Sequence, residues 1–251
     1  MLRIDLNCDL GESFGTYVFG DDAAVLSSVS SANIACGFHA GDPRGIRETC
    51  AAAARAGAAI GAHPGYRDLA GFGRRFIEYD PGELTDELIY QIGAVQALAR
   101  SVGSAVRYVK PHGALYNAIV RHEPQAEAVA RAVREIGDGL PMLVPPGSVI
   151  ERVARDAGMP TYAEAFADRA YTPDGALAPR TSPGAVLTAD AAIDQAVRIA
   201  TTGRVVAVDG SEIAVQADSI CLHGDRPEAV GLSREIRAAL EDRGIEIASF
   251  V

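Results

Sequence analysis

Tryptophan is absent from this sequence, and lysine nearly so: of 23 basic residues only Lys110 is a lysine. Arginine therefore supplies almost every ordinary surface cation. A solitary lysine inside an apolar strand points to work arginine does poorly, either a point-charge contact or a tunable amine, unless it is simply left over in an arginine-rich composition. Cysteine is scarce too. Cys8, Cys36, Cys50 and Cys221 are too few for a disulfide framework at 251 residues and contain no C-x-x-C pair. Cys8, Cys36 and Cys221 lie in apolar stretches and read as small buried hydrophobes. Cys36 with His39 would be half a zinc site, but no second Cys/His pair of similar spacing follows. Positive charge is also in deficit: the net charge of −10 repels rather than steers DNA or RNA. No apolar run reaches the length of a membrane span. The first residues already read as strand, with no room for a charged start, apolar stretch and cleavage site, so the expected location is cytoplasmic. A G-x-G-x-x-G after the first strand and a G-x-x-x-x-G-K-[ST] loop are both missing, which argues against the usual dinucleotide and P-loop sites.

What remains is a 48 % hydrophobic chain in which apolar strands alternate with alanine-rich amphipathic segments. The pattern predicts strands over 2–9, 32–38, 58–63, 105–112, 140–145, 160–166 and 217–223. It predicts helices over 22–30, 43–56, 83–102, 123–136, 147–157, 188–202 and 227–243. Asp42-Pro43 caps the second helix, and Gly57, Gly103, Gly158 and Gly244 close others. Residues 205–210 and 212–216 read as a hairpin around Asp209-Gly210; the tail 244–251 is an eighth strand or a docked end. Such alternation means parallel strands with right-handed crossovers. About seven units in one domain, 1–251, fit an α/β fold of the (β/α) barrel type, seven-stranded and irregular, better than a doubly wound sheet.

In a parallel barrel, side chains from successive strand ends converge at the C-terminal rim. The first stretch, Arg3 to Ser13, alternates Ile4, Leu6 and Cys8 with Asp5, Asn7 and Asp9, then breaks at Gly11 before Glu12. An edge strand with a wet face would also read this way. Later strands, however, also end in chemically capable residues: His39, His63, Lys110 with His112, Glu164 with Asp168-Arg169, and His223 with Asp225. Four of the five histidines obey the rule; His122 alone starts a helix. Lys110 and His112, two apart, share a face. Such convergence of titratable groups marks a functional cluster.

The blocks Asp5-Leu-Asn-Cys-Asp-Leu-Gly-Glu12, Ser31-Ala-Asn-Ile-Ala-Cys-Gly-Phe-His-Ala-Gly-Asp42, Gly61-Ala-His-Pro-Gly-Tyr66 and Val109-Lys-Pro-His-Gly-Ala-Leu-Tyr116 resemble the LamB/YcsF family. So do Glu164-Ala-Phe-Ala-Asp-Arg169 and Cys221-Leu-His-Gly-Asp225, and the likeness covers nearly the whole chain. The resemblance implies a seven-stranded barrel of the glycoside hydrolase/deacetylase kind. It also implies a component of the prokaryotic 5-oxoprolinase, which opens 5-oxo-L-proline to L-glutamate with cleavage of ATP alongside PxpB- and PxpC-type partner subunits.

For that chemistry the amide oxygen would be phosphorylated and water would attack the activated carbon. His39, His63, His112 and Glu164 are the base or acid candidates. Lys110 would lie against phosphate or carboxylate, and Asp9 and Glu12 would orient water or hold a divalent ion. Asn7, His223 and Asp225 would bind substrate, with Arg169 on its carboxylate unless Arg169 forms an internal salt bridge. ATP would bind at the barrel rim or on a partner. Mg²⁺ would accompany it, or an ion would occupy Asp9, His39 and His63 as in the deacetylases. Gly65, Gly71 and Gly73 with Arg74 and Arg75 form a loop that touches phosphate, closes the mouth or stays solvated. Two rival readings are a metal-dependent carbohydrate deacetylase or amidohydrolase, and a non-catalytic member of the complex.

Overall fold

The computed structural model describes residues 2–222 and 229–251, so His223 and Asp225 lie outside the described residues. Seven parallel strands form a closed ring: β1 (Arg3–Leu10), β2 (Ser31–Ala35), β3 (Ala59–His63), β4 (Val106–Val109), β5 (Met142–Val144), β6 (Thr161–Phe166) and, last in the ring, β9 (Ser219–Leu222). Ring closure falls between β1 and β9, with Asp5 opposite Ser219 and Cys8 opposite Leu222. The hairpin β7 (Arg204–Val206) and β8 (Glu212–Ala214) stands apart as an antiparallel excursion. The tail supplies β10 (Glu246–Ile247), paired to the start of β1. The carbonyls of Leu2, Ile4 and Leu6 accept from Glu246, Ala248 and Ser30 in turn, so β10 continues below β2 on the same flank.

Around the ring run α1 (Asp22–Val25), α2 (Pro43–Ala56), α3 (Pro81–Ser101), α4 (Gly113–Ala118), α5 (Glu123–Ile136), α6 (Val149–Asp156), α7 (Ala189–Thr202) and α8 (Ala229–Glu241). Local chemistry sets their ends. Asp42 caps α2 by accepting from Arg44 and Gly45 N–H groups, and Gly57 ends it in a left-handed conformation. The helix predicted over 22–30 shrinks to the four residues of α1, because Ser27 and Ser30 turn their hydroxyls onto main-chain carbonyls instead of continuing the helix. Helix α4 replaces what the sequence reads as a strand-end loop.

The first strand is not a wet edge. It is bonded on both sides, and its two faces are both buried. Ile4, Leu6, Cys8 and Leu10 join the apolar core, while Asp5, Asn7 and Asp9, on the opposite face, take polar partners across the ring. A barrel interior is ordinarily filled by branched apolar residues; here it carries a hydrogen-bonded polar column. Asp5 accepts from Ser30 and Ser31 at 2.6 Å and from Ser219, and the Ser219 hydroxyl in turn accepts from Asn7 at 2.6 Å. Asn33 donates to Asn7 at 2.6 Å and to Asp9 at 2.9 Å, and accepts from the Tyr108 hydroxyl at 2.6 Å. Tyr108 can lie across β3 only because Gly61 has no side chain: a Cβ there would sit 2.3 Å from the phenol ring. Phe250 of the tail packs its ring against Tyr108 and Tyr162, with centroids 4.9 and 4.7 Å away.

Candidate active site

The β3–β4 ladder runs past the strand ends. Lys110 N–H donates to Ala62 and His112 N–H to Pro64, so Lys110 and His112 are presented together as the spacing predicts. His112 occupies the N-cap of α4 but makes no side-chain cap bond; its imidazole turns into the site instead. His63 closes β3, and His39 follows β2 by four residues. The turn after His63 is pinned by buried Gln91, which grips both the N–H and the carbonyl of Gly65.

Two linked centres result. In the first, Lys110 Nζ lies 2.9 Å from Asp9 Oδ1, 2.9 Å from Glu164 Oε1, 3.1 Å from Cys221 Sγ and 3.4 Å from Asn7 Oδ1. Rings of Phe166 and Tyr116 flank it, 5.7 and 6.0 Å away. Burial alone would drive the proton off this amine, but the carboxylates of Asp9 and Glu164 outweigh it and hold the ammonium above the ordinary lysine value. Lys110 is thus held as a cation between two carboxylates. The Cys221 thiol, read from sequence as a small hydrophobe, is part of this centre; burial raises its pKa first of all, and it stays a thiol.

In the second centre, His39 and His112 stack with centroids 3.6 Å apart and planes 4° from parallel, while His63 stands edge-on to both. Burial, then the neighbouring imidazoles, push the pKa of His39 and of His112 well below the usual histidine value, so both are neutral. Main-chain carbonyls fix two of the rings. His63 Nδ1 donates to Lys110 O at 2.8 Å, and His112 Nε2 donates to Phe72 O at 2.8 Å. A carbonyl only accepts, so in the neutral form of each ring the other nitrogen, His63 Nε2 or His112 Nδ1, carries a lone pair. These face each other at 3.0 Å, with Glu12 Oε1 3.7 Å from His112 and 3.3 Å from His39 Nε2.

Opposed lone pairs repel unless a cation lies between them. The ligand atoms of Glu12, His39, His63 and His112 all fall within 4.8 Å of one another. Imidazoles tied by their second nitrogen to a carbonyl are the usual arrangement of metal ligands. The donor set therefore fits a divalent ion of the zinc or iron type. The set expected from sequence, Asp9 with His39 and His63, is kept only in part. Asp9 lies 3.4 Å from His63 but turns to Lys110 and Asn33, and Glu12 and His112 complete the group instead.

A lid closes over the imidazoles. The segment after β3 carries the short 3₁₀ turn Leu69–Gly71, capped by Asp68, which Arg75 clasps through two nitrogens. Among the described residues Phe72 is the one non-glycine with a positive φ, 54°, and that strained backbone aims its carbonyl at His112. Gly73 follows so closely that a Cβ would lie 2.7 Å from both His39 and His112. Phe72 and Gly73 of this loop lie against the imidazoles. A groove of about 730 Å³ lies outside this lid, between Leu69, Phe38, Arg67 and Tyr90, and holds none of the histidines.

Other residues expected at the site have these partners. Buried Arg169 donates to the carbonyls of Ala178 and Ala185, fastening the segment after β6. Asn7 belongs to the polar column below Lys110. His122 caps α5 away from the cluster, in keeping with its position at a helix start. Tyr116, Asn33 and Tyr108 have no assigned role in the sequence reading, although all but Tyr108 sit within the blocks quoted above. Phe72 meets His112 through its main-chain carbonyl and sets its ring edge-on to His39 and His112, contacts no motif in the sequence announces.

A closed seven-stranded (β/α) barrel with buried carboxylates, imidazoles and one ammonium at its C-terminal mouth defines a barrel protein of the deacetylase-like architecture. A solved T48 deacetylase shares that fold alone, at 11 % identity and a TM-score of 0.51 over 98 % of this chain and 87 % of that one. The chain belongs to the LamB/YcsF family, whose model matches residues 4–251. It is 55 % identical, over the full length of both chains, to a protein of Kocuria rhizophila named as one of the subunits of 5-oxoprolinase. The crystal structure of a lactam utilization protein from Thermus thermophilus superposes with a TM-score of 0.94 at 45 % identity, covering 99 % of this chain and 100 % of that one.

Proposed function

We propose that this chain is the lactam-opening component of an ATP-dependent 5-oxoprolinase, hydrolysing 5-oxo-L-proline to L-glutamate with PxpB- and PxpC-type subunits. The names of its relatives support the reaction. The observation that carries the assignment to this chain is Lys110, a cation held between Asp9 and Glu164 beside neutral imidazoles. In this reading the partners handle ATP, in keeping with the missing P-loop, and the amide oxygen reaches the barrel activated by phosphorylation. Lys110 stabilises negative charge on that oxygen. A neutral imidazole takes a proton from the water that adds to the activated carbon, and the ring C–N bond breaks as Glu164 relays a proton to the leaving nitrogen; the carbon is left as an acyl phosphate, which a second water hydrolyses to glutamate and inorganic phosphate. With a divalent ion held by Glu12, His39, His63 and His112, the imidazoles would be ligands rather than the base, and the ion would supply Lewis acidity and lower the pKa of water.

The test is glutamate release from 5-oxoproline by the purified chain mixed with its partner subunits. Release requiring ATP and all subunits is expected; no turnover in the full mixture would contradict the reading. The Glu12 and histidine group favours one alternative, a metal-dependent deacetylase or amidohydrolase. That alternative requires chelator-sensitive hydrolysis of an N-acetyl sugar without ATP or partners.

A further inference from the structure

Among the described residues, four buried side-chain polar atoms have no hydrogen-bond partner: His39 Nδ1, the Tyr116 hydroxyl and both oxygens of Glu164. All belong to the site. The His39 atom faces the close approach of Gly65. The other three are costly, because a buried carboxylate and a buried hydroxyl normally find partners. Glu164 is 2 % exposed and Tyr116 5 %. The ammonium of Lys110 pairs with Glu164 Oε1 at 2.9 Å, yet no group meets hydrogen-bond geometry at either oxygen, so the carboxylate keeps accepting capacity. The Tyr116 hydroxyl is the nearby donor: it stands beside the Glu164 carboxylate without meeting hydrogen-bond geometry, and after burial the charge of Glu164 and that contact raise the cost of ionising the phenol. Phe166, edge-on to Tyr116 at 5.9 Å, supplies an apolar wall.

An acceptor and a donor side by side match one kind of ligand edge. In a five-membered lactam the amide is locked cis, so N–H and C=O point out along the same edge. In an open-chain secondary amide they point oppositely, and the cis form is disfavoured by on the order of a hundredfold. We propose that Glu164 and Tyr116 form a lactam-edge subsite, Glu164 accepting the ring N–H and Tyr116 donating to the ring carbonyl. It rests on the 5-oxoprolinase reading and deepens it: Tyr116 becomes a specificity-determining residue, and selection of a cyclic over a linear amide is built into the pair. The same contact places Glu164 against the nitrogen that must gain a proton when the ring opens.

The experiment measures binding without ATP, to the chain assembled with its partner subunits, by calorimetry. The probes are 5-oxoproline, its N-methyl derivative and N-acetylglycine. The wild type is expected to bind 5-oxoproline at least about tenfold more tightly than either of the others. Tyr116→Phe, a minimal deletion with folding checked by thermal melt, should weaken 5-oxoproline by about tenfold. In Glu164→Ala the penalty for N-methylation should fall toward none, since no acceptor is then left unmet. Unchanged affinity in Tyr116→Phe, or an N-methyl penalty that survives in Glu164→Ala, overturns the subsite. Glutamate release accompanied by either result overturns the subsite while leaving the activity standing. The expected binding pattern without glutamate release upholds the subsite and removes the activity.

Discussion

Asp5 lies at the far end of the polar column from Lys110, buried and accepting from three serines. Burial outweighs those bonds and lifts its pKa to about 6. A carboxyl whose folded pKa exceeds its unfolded value binds more protons in the native state, so stability is greatest below the unfolded pKa of 3.8 and is lost as pH rises to about 6. The shift corresponds to about 3 kcal/mol across that window. Asp5→Asn should flatten the fall in melting temperature between pH 4 and 6, whatever it does to the absolute value; an unchanged slope would remove Asp5 as its source. The imidazoles make a separate residue-scale prediction. Elemental analysis after dialysis should find about one divalent ion per chain, reduced in Glu12→Gln and His63→Asn and retained in Cys36→Ser, whose thiol lies outside the group. Equal metal in all variants would exclude this ligand set. Asp9, Lys110 and Glu164 were legible because charged types at strand ends stand out. Tyr116 and Cys221 were not, since an aromatic and a thiol in apolar surroundings look like core until their neighbours across the ring are known.

The lid between β3 and α3 shows what backbone contributes. Gly73 has φ of 62° and would drive a Cβ into two histidines, whereas Gly57 has φ of 71° with open space around it. Gly57→Ala should cost about 1 kcal/mol from left-handed strain alone. Gly73→Ala should cost more, about 2–3 kcal/mol in urea melts, and should prise the Phe72 carbonyl from His112. Equal costs would mean the lid yields freely. The strand–helix alternation itself was readable, because parallel strands buried on both faces leave apolar runs separated by capped amphipathic helices. The failures have local causes: serine hydroxyls cut α1 short, and the Lys110-Pro-His112 segment hid the start of α4. Loop alternatives stayed open because a main-chain carbonyl bond and a packed glycine leave no compositional trace.

At the scale of the whole molecule, closing the ring between β1 and β9 brings residues separated by more than 200 positions into contact, as Asn7 and Ser219 are. Six of the seven strands converge two linked centres on one mouth, where His39, His63 and Lys110 are almost wholly buried. Such a site is suited to chemistry shielded from water, and its charge balance rests on a single ammonium between two carboxylates. Lys110→Met in the reconstituted complex therefore tests the account most directly, with co-purification and circular dichroism reporting assembly and folding. The account predicts an intact complex in which ATP-dependent glutamate release falls by at least about a hundredfold; an intact complex that releases glutamate at the wild-type rate would contradict it.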